Sequence, residues 1–158
     1  PEFSSRMHSC PKMTYENIGN LLASRGVDLG SQNNLSAGSL WRNGGPALGA
    51  PKLDVRSRES TEITTAAAAK LFDIFAQAAP EIITAMPTLE ACTVAGVPTE
   101  MFTPEGTCTI DGITCLMGTP ATASHLELCN EMVTRASTTQ KGQEIAVAAL
   151  AAAAHTCE

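Results

Sequence analysis

Residues 61–79, TEITTAAAAKLFDIFAQAA, are the most regular stretch of the sequence and decide the predicted fold. Their apolar side chains return every three or four residues, which is the period of one face of an α-helix. Glu59 and Glu62 lie near the positively polarised first turn. Pro80 cannot donate the backbone hydrogen bond of a continuing helix, so we expect a break near Ala79. The apolar face consists of Ile63, Ala67, Leu71, Ile74, Phe75 and Ala78.

Three other segments carry helix signals. Residues 14–25 begin at Thr14, a good N-cap, and stop before a glycine. Residues 119–136 open with threonine and proline, which suit a first turn, and residues 139–156 are rich in alanine. The fold class predicted from these segments is mainly α: a single compact, bundle-like domain of four to six helices with one short β-hairpin.

The division of the chain follows from its length and from local composition. A chain of 158 residues can bury one core. We expect residues 1–6 to be a cloning remnant and residues 7–158 to form the helical domain. Residues 27–51 are rich in Gly, Asn, Ser and Pro and predict a long irregular loop, in which one short turn could form around residues 37–41. Trp41 and Asn43 are its candidate interaction residues; Trp41 either pins the loop to the core or faces a ligand.

The predicted hairpin surrounds Asp111-Gly112, a dipeptide favoured in two-residue turns. The sequence on both sides of this dipeptide is nearly mirror-symmetric, so Cys108 would lie directly opposite Cys115. Opposed residues in an antiparallel pair are close enough for a disulfide. The spacing therefore predicts a Cys108–Cys115 bridge.

Four cysteines remain, and they allow three pairings that sequence does not separate. Of these we favour Cys10 with Cys157 and Cys92 with Cys129. An even cysteine count in a small chain indicates an oxidising compartment, so we expect a secreted or periplasmic protein whose signal peptide has been removed. A cytosolic protein that starts at Met7 would contradict this expectation.

Histidines beside cysteines offer an alternative chemistry at the two ends of the chain. His8 and Cys10 form one His-x-Cys pair, and His155 and Cys157 form another. Two imidazoles and two thiolates would complete a tetrahedral zinc site if the ends met. The spacing is not one of the common zinc motifs, and disulfides are the simpler interpretation.

His125 and Cys129 are four residues apart and would share one face of a helix. They could bind a metal together, or His125 could pair with Met117 as axial ligands of a non-covalent haem. A histidine and a cysteine on an apolar helix face are more often core residues. We therefore expect no cofactor, with zinc or haem as the alternative.

Composition and absent motifs reduce the number of candidate functions. The net charge is −6, and the densest basic stretch, Arg56-Ser57-Arg58, is followed by a glutamate, so nucleic acid is not the expected partner. The longest apolar run, residues 145–154, is too short to span a bilayer. Common nucleotide, hydrolase and zinc-protease motifs are missing.

This evidence favours a non-enzymatic, exported, disulfide-stabilised domain that binds a protein or takes part in a surface assembly. A metal- or haem-binding protein is the alternative, and an enzyme with an unfamiliar site is a third hypothesis. The oligomeric state stays open.

Overall fold

Helices dominate the structure, a computed structural model that describes residues 12–154. The described part contains seven α-helices and a two-strand antiparallel sheet, and 59% of it is helical. The predicted mainly α-helical class is therefore confirmed. The elements, in chain order, are α1 Tyr15–Ser24, α2 Ala37–Asn43, α3 Gly45–Leu48, α4 Thr65–Ala85, β1 Thr93–Val94, β2 Val97–Pro98, α5 Ile110–Met117, α6 Ala123–Arg135 and α7 Thr139–Ala154.

Hydroxyl side chains start five of these helices. Each accepts a hydrogen bond from a backbone N–H of the first turn, which would otherwise have no partner. Thr14 was predicted as the cap of α1 and has this role, whereas α6 begins at Ala123, later than the predicted start at Thr119. The capping residues are Thr14, Ser36, Thr64, Thr109 and Thr122.

The long helix α4 forms the centre of the core. Leu71, Ile74 and Phe75 are buried in its first half, as the periodicity predicted. The expected break near Ala79 is wrong, because α4 continues through Pro80 to Ala85. Pro80 is exposed, while Ala79 before it and Ile82 after it are buried and hold both halves against the core. Their packing outweighs the missing bond, whose loss costs about 3 kcal/mol.

The other helices surround α4 and α7. The two long helices pack against each other, α2 and α3 cover α4, and α5 and α6 pack on α7. Gly142 of α7 lies against the backbone of Val133 in α6, where an added Cβ would come within 2.6 Å of the Val133 Cα. The small side chains of α7 thus permit close helix approach.

Residues 27–51 are more regular than predicted. They contain α2 and α3, so the expected irregular loop is wrong over residues 37–48, while residues 27–36 and 49–51 are irregular as predicted. Trp41 in α2 stacks on Tyr15, with ring centroids 4.9 Å apart, and its Nε1 donates to the Tyr15 carbonyl at 3.0 Å. These contacts fix the segment to α1, which explains why a Gly- and Asn-rich sequence is ordered here.

Candidate functional site

Two disulfides hold the region between α4 and α6. Cys92 is bonded to Cys115, and Cys108 is bonded to Cys129. The predicted Cys108–Cys115 and Cys92–Cys129 pairings are therefore wrong. The Cys10–Cys157 pairing lies outside the described residues.

The first of these errors has a local cause, since the expected hairpin around Asp111-Gly112 is the helix α5. The Thr109 hydroxyl caps this helix by accepting from the Gly112 N–H at 3.0 Å, and Asp111 lies in the positively polarised first turn. Gly118 ends the helix in the left-handed conformation. Start and stop signals together outweigh the turn preference of the dipeptide, and Cys115 lies inside the helix rather than opposite Cys108.

The hairpin of this structure occurs earlier, at Ala95-Gly96. Both residues have positive φ angles, 51° and 80°, as a two-residue hairpin turn requires. Val94 pairs with Val97 across it. The sequence signal was present as β-branched residues around a glycine, but the strands have two residues each and are too short to show alternation.

The described residues proposed as alternative metal ligands have other roles in the structure. His125 completes the cap of α6, where its Nδ1 accepts from the Thr122 N–H at 3.0 Å. Cys129 has no thiol to offer a metal because it is in a disulfide. Within residues 12–154 no group of three potential ligands could hold a metal ion. His8, Cys10, His155 and Cys157 lie outside that part of the chain.

The candidate interaction residues of the 27–51 segment are partly used within the fold. Trp41 is half-buried against Tyr15. Asn43 is exposed and donates to the Ser39 hydroxyl at 3.2 Å. Neither residue lines one of the larger clefts described here.

A surface groove lies beside the β-hairpin and consists of two adjoining clefts, which we call the hairpin groove. The clefts have volumes of about 390 and 350 Å³ and share Val94, Thr99 and Asp111. Such volumes are at the lower end of those of ligand sites. Both clefts are open to solvent, so the groove is shaped for a protruding segment rather than for an enclosed small molecule.

The wall of the first cleft is mostly apolar. Val94 and Val97 stand at its rim and are 51% and 64% exposed. Phe102 also lines this cleft and is buried. Two carboxylates, Glu100 and Asp111, also line this cleft, and neither forms an ion pair with any residue in the described range.

The second cleft is lined by the Cys92–Cys115 disulfide and by Arg25. The Arg25 Nε donates to the Leu116 carbonyl at 3.2 Å, close to the C-terminus of α5. Burial lowers the pKa of Arg25, and no carboxylate of residues 12–154 pairs with it. The groove therefore has Glu100 in the first cleft, Arg25 in the second, and Asp111 lining both.

Covalent bonds and hydrogen bonds fix the walls of the groove on both sides. Cys92 precedes β1, and its disulfide fixes that strand to α5. On the other side the Thr109 hydroxyl donates to the Glu100 carbonyl at 2.5 Å, and Cys108 is bonded to α6. A surface held in one shape loses little conformational entropy when it binds.

A second, polar groove of about 410 Å³ lies between α6, α7 and the 103–107 turn. Hydroxyls and one amide line it, with Glu105 as its carboxylate. Hydrogen bonds from its own backbone and from the Thr103 side chain lower the pKa of Glu105. No aromatic or cationic residue lines this groove, so it offers less to a ligand than the hairpin groove.

Sequence reasoning missed most residues of the hairpin groove. It gave no functional role to Arg25, Val94 or Glu100. These side chains come from the residue that follows α1, from β1 and from the segment before α5. Only the folded chain brings them together.

Helices of residues 12–154 are all too short or too polar to cross a lipid bilayer. Comparison of the chain with protein-family models, with curated proteins and with solved structures found no match.

Proposed function

We propose that this chain is an exported, disulfide-stabilised helical domain that binds another protein through the hairpin groove. The observation that carries the proposal is the exposure of Val94 and Val97 at the rim of an open, largely apolar cleft. Adjacent exposed aliphatic side chains beside a concave surface often mark an interaction site. No catalytic step is part of the proposal.

The rigidity of the groove supports a role in binding. The Cys92–Cys115 disulfide and the Thr109 to Glu100 hydrogen bond fix the walls on opposite sides. A partner would then bury apolar area against a preformed surface, with little loss of loop entropy on the side of this chain.

The charges of the groove select the partner's chemistry. Glu100 and Asp111 are free of ion pairs with other described residues and would attract a cation placed beside an apolar side chain. Arg25, which lines the second cleft together with Asp111, would bind a carboxylate of the partner. The best occupant is a short protein segment that has aliphatic side chains, basic residues and one acidic residue.

Export is the second part of the proposal, and the two disulfides support it. Stable disulfides form in oxidising compartments and are rare in most cytosolic proteins. Cys92–Cys115 and Cys108–Cys129 both fix the region around the groove, so reduction would loosen the surface proposed to bind.

Peptide selection tests the binding role without a known partner. A phage-displayed library of random peptides is selected on the oxidised protein, and the enriched peptides are measured against variants by fluorescence polarisation. Val94→Asp with Val97→Asp should weaken binding at least about tenfold, because it puts two carboxylates on the apolar rim. Ile145→Asp is the matched control, since Ile145 is 46% exposed and lines neither cleft.

The outcomes are distinct. Enriched peptides that combine aliphatic and basic residues and lose affinity only with the groove variant would support the proposal. A library that yields no groove-dependent peptide, or peptides equally affected by Ile145→Asp, would overturn it.

A further inference from the structure

We infer that the occupant of the hairpin groove is a second copy of this chain, which inserts the exposed loop formed by residues 52–58. This inference rests on the proposed function, because it names the partner of the same groove. It makes the chain a unit of head-to-tail assembly.

The 52–58 loop has the chemistry that the groove selects. A backbone bridge between Lys52 and Ser57 closes the loop, and Arg56 has a positive φ of 53°. Leu53 and Val55 project from the loop and are 85% and 64% exposed. No other pair of large aliphatic side chains in residues 12–154 is so exposed within three consecutive positions.

The charges of loop and groove are complementary. Lys52, Arg56 and Arg58 are exposed, and none of them forms an ion pair with another residue of the described range. They concentrate positive charge on a chain whose net charge is −6. The groove presents the carboxylates of Glu100 and Asp111, which form no ion pair within residues 12–154.

The single acidic residue of the loop also has a counterpart. Asp54 stands between the two exposed aliphatic side chains. In the groove, Arg25 lines the cleft next to the apolar one and has no carboxylate partner among residues 12–154. An anionic membrane would instead repel Asp54 where the apolar side chains insert, so the charge pattern favours a protein groove over a lipid surface.

Loop and groove lie near opposite ends of α1. The neighbouring Glu59 accepts a hydrogen bond from the Tyr15 N–H at 2.6 Å, which puts the loop at the start of α1. Arg25 lines the groove at the end of α1, where Gly26 contacts Ala85, the last residue of α4. The ten residues of α1 span about 15 Å, and no residue of the loop lines either cleft of its own copy.

Such a contact uses two different surfaces and repeats at each copy. It is a heterologous interface, which gives open chains unless its rotation closes a ring. The loop buries only a few side chains, so the interface belongs to the weak class of small contact area. Self-association should therefore depend steeply on protein concentration.

Sedimentation velocity of the oxidised full chain tests the inference. The wild type should increase in average mass between about 10 μM and 1 mM, the range expected for a small interface. Leu53→Asp with Val55→Asp removes the loop's apolar contacts, and Val94→Asp with Val97→Asp removes those of the groove. Each double variant alone should stay monomeric, and circular dichroism checks that it is folded.

Mixing the two variants is the decisive measurement. The loop variant keeps an intact groove and the groove variant keeps an intact loop, so an equimolar mixture should form a dimer and nothing larger. Ile145→Asp, at an exposed site on α7, should associate like the wild type.

Three results would overturn the inference. One is a wild type that stays monomeric up to 1 mM, on the order of the weakest protein contacts, while peptide selection on the groove succeeds; the proposed function then stands alone. Another is a wild-type dimer that the mixed variants do not restore, which indicates a symmetric interface. The third is loop-dependent sedimentation with anionic phospholipid vesicles by a protein that is monomeric in solution.

Discussion

Replacement of Gly142 by alanine separates local helix preference from tertiary packing. Gly142 lies in the first turns of α7, and alanine is the better helix former by about 1 kcal/mol. From the sequence alone, Gly142→Ala should stabilise the protein. The structure predicts the opposite sign.

The magnitude follows from the contacts that a Cβ would make. It would lie 2.6 Å from the Val133 Cα and 2.7 Å from the Val133 carbonyl oxygen, both of which belong to the backbone of α6. Backbone cannot turn away as a side chain can, so α6 and α7 must separate. Overpacking costs about 1–3 kcal/mol, and because the contact here is with backbone we expect the upper part of that range, about 2–3 kcal/mol, which exceeds the gain in helix preference. We expect a net loss of about 1–2 kcal/mol.

Urea unfolding and thermal unfolding of the oxidised protein measure this change. The melting temperature should fall by about 2–8 °C for a chain of this size. Lys141→Ala is the matched control, since Lys141 is exposed in the same turn and its replacement should change stability by less than about 0.5 kcal/mol. A Gly142→Ala protein as stable as the wild type, or more stable, would refute the close approach of α6 to α7.

Two other predictions concern the disulfides and a titrating carboxylate. Cys92→Ala with Cys115→Ala should lower the free energy of unfolding by about 3 kcal/mol, because it opens a loop with a sequence separation of 23. Urea unfolding measures the loss. A non-reduced digest of the wild type should show Cys92 and Cys115 in one linked peptide. Thr103→Val should raise the pKa of Glu105 towards its ordinary value, since it removes one of the two hydrogen bonds that lower it. A carboxylate whose pKa is lowered on folding contributes stability that is fully present above its ordinary pKa and is lost as the pH falls through its pKa in the folded protein. An NMR titration that finds the pKa of Glu105 unchanged by Thr103→Val would contradict this assignment.

Helix content could be read from the sequence because its causes are local. The three- and four-residue repeat of Leu71, Ile74 and Phe75 predicted the buried face of α4, and Thr14 predicted the start of α1. Periodicity and caps act within one or two turns, so no distant part of the chain is needed to interpret them. Pro80 was misjudged because tertiary burial of its neighbours opposes its local effect.

The hairpin shows where local signals compete. Asp111-Gly112 and Ala95-Gly96 both fit a two-residue turn, and the first is the stronger dipeptide in isolation. The cap at Thr109 and the stop at Gly118 place Asp111-Gly112 in a helix, while Ala95-Gly96 forms the hairpin turn. Only the balance over the whole segment decided between them.

The sequence by itself determined the helical class, the main apolar faces and the presence of enough cysteines for disulfides. The tertiary structure decided the Cys92–Cys115 and Cys108–Cys129 pairings and the groove that joins Arg25 to the hairpin. The physical reason is distance along the chain. A disulfide or a groove depends on how residues far apart in sequence approach in space, and this is set by the packing of whole helices rather than by neighbouring residues.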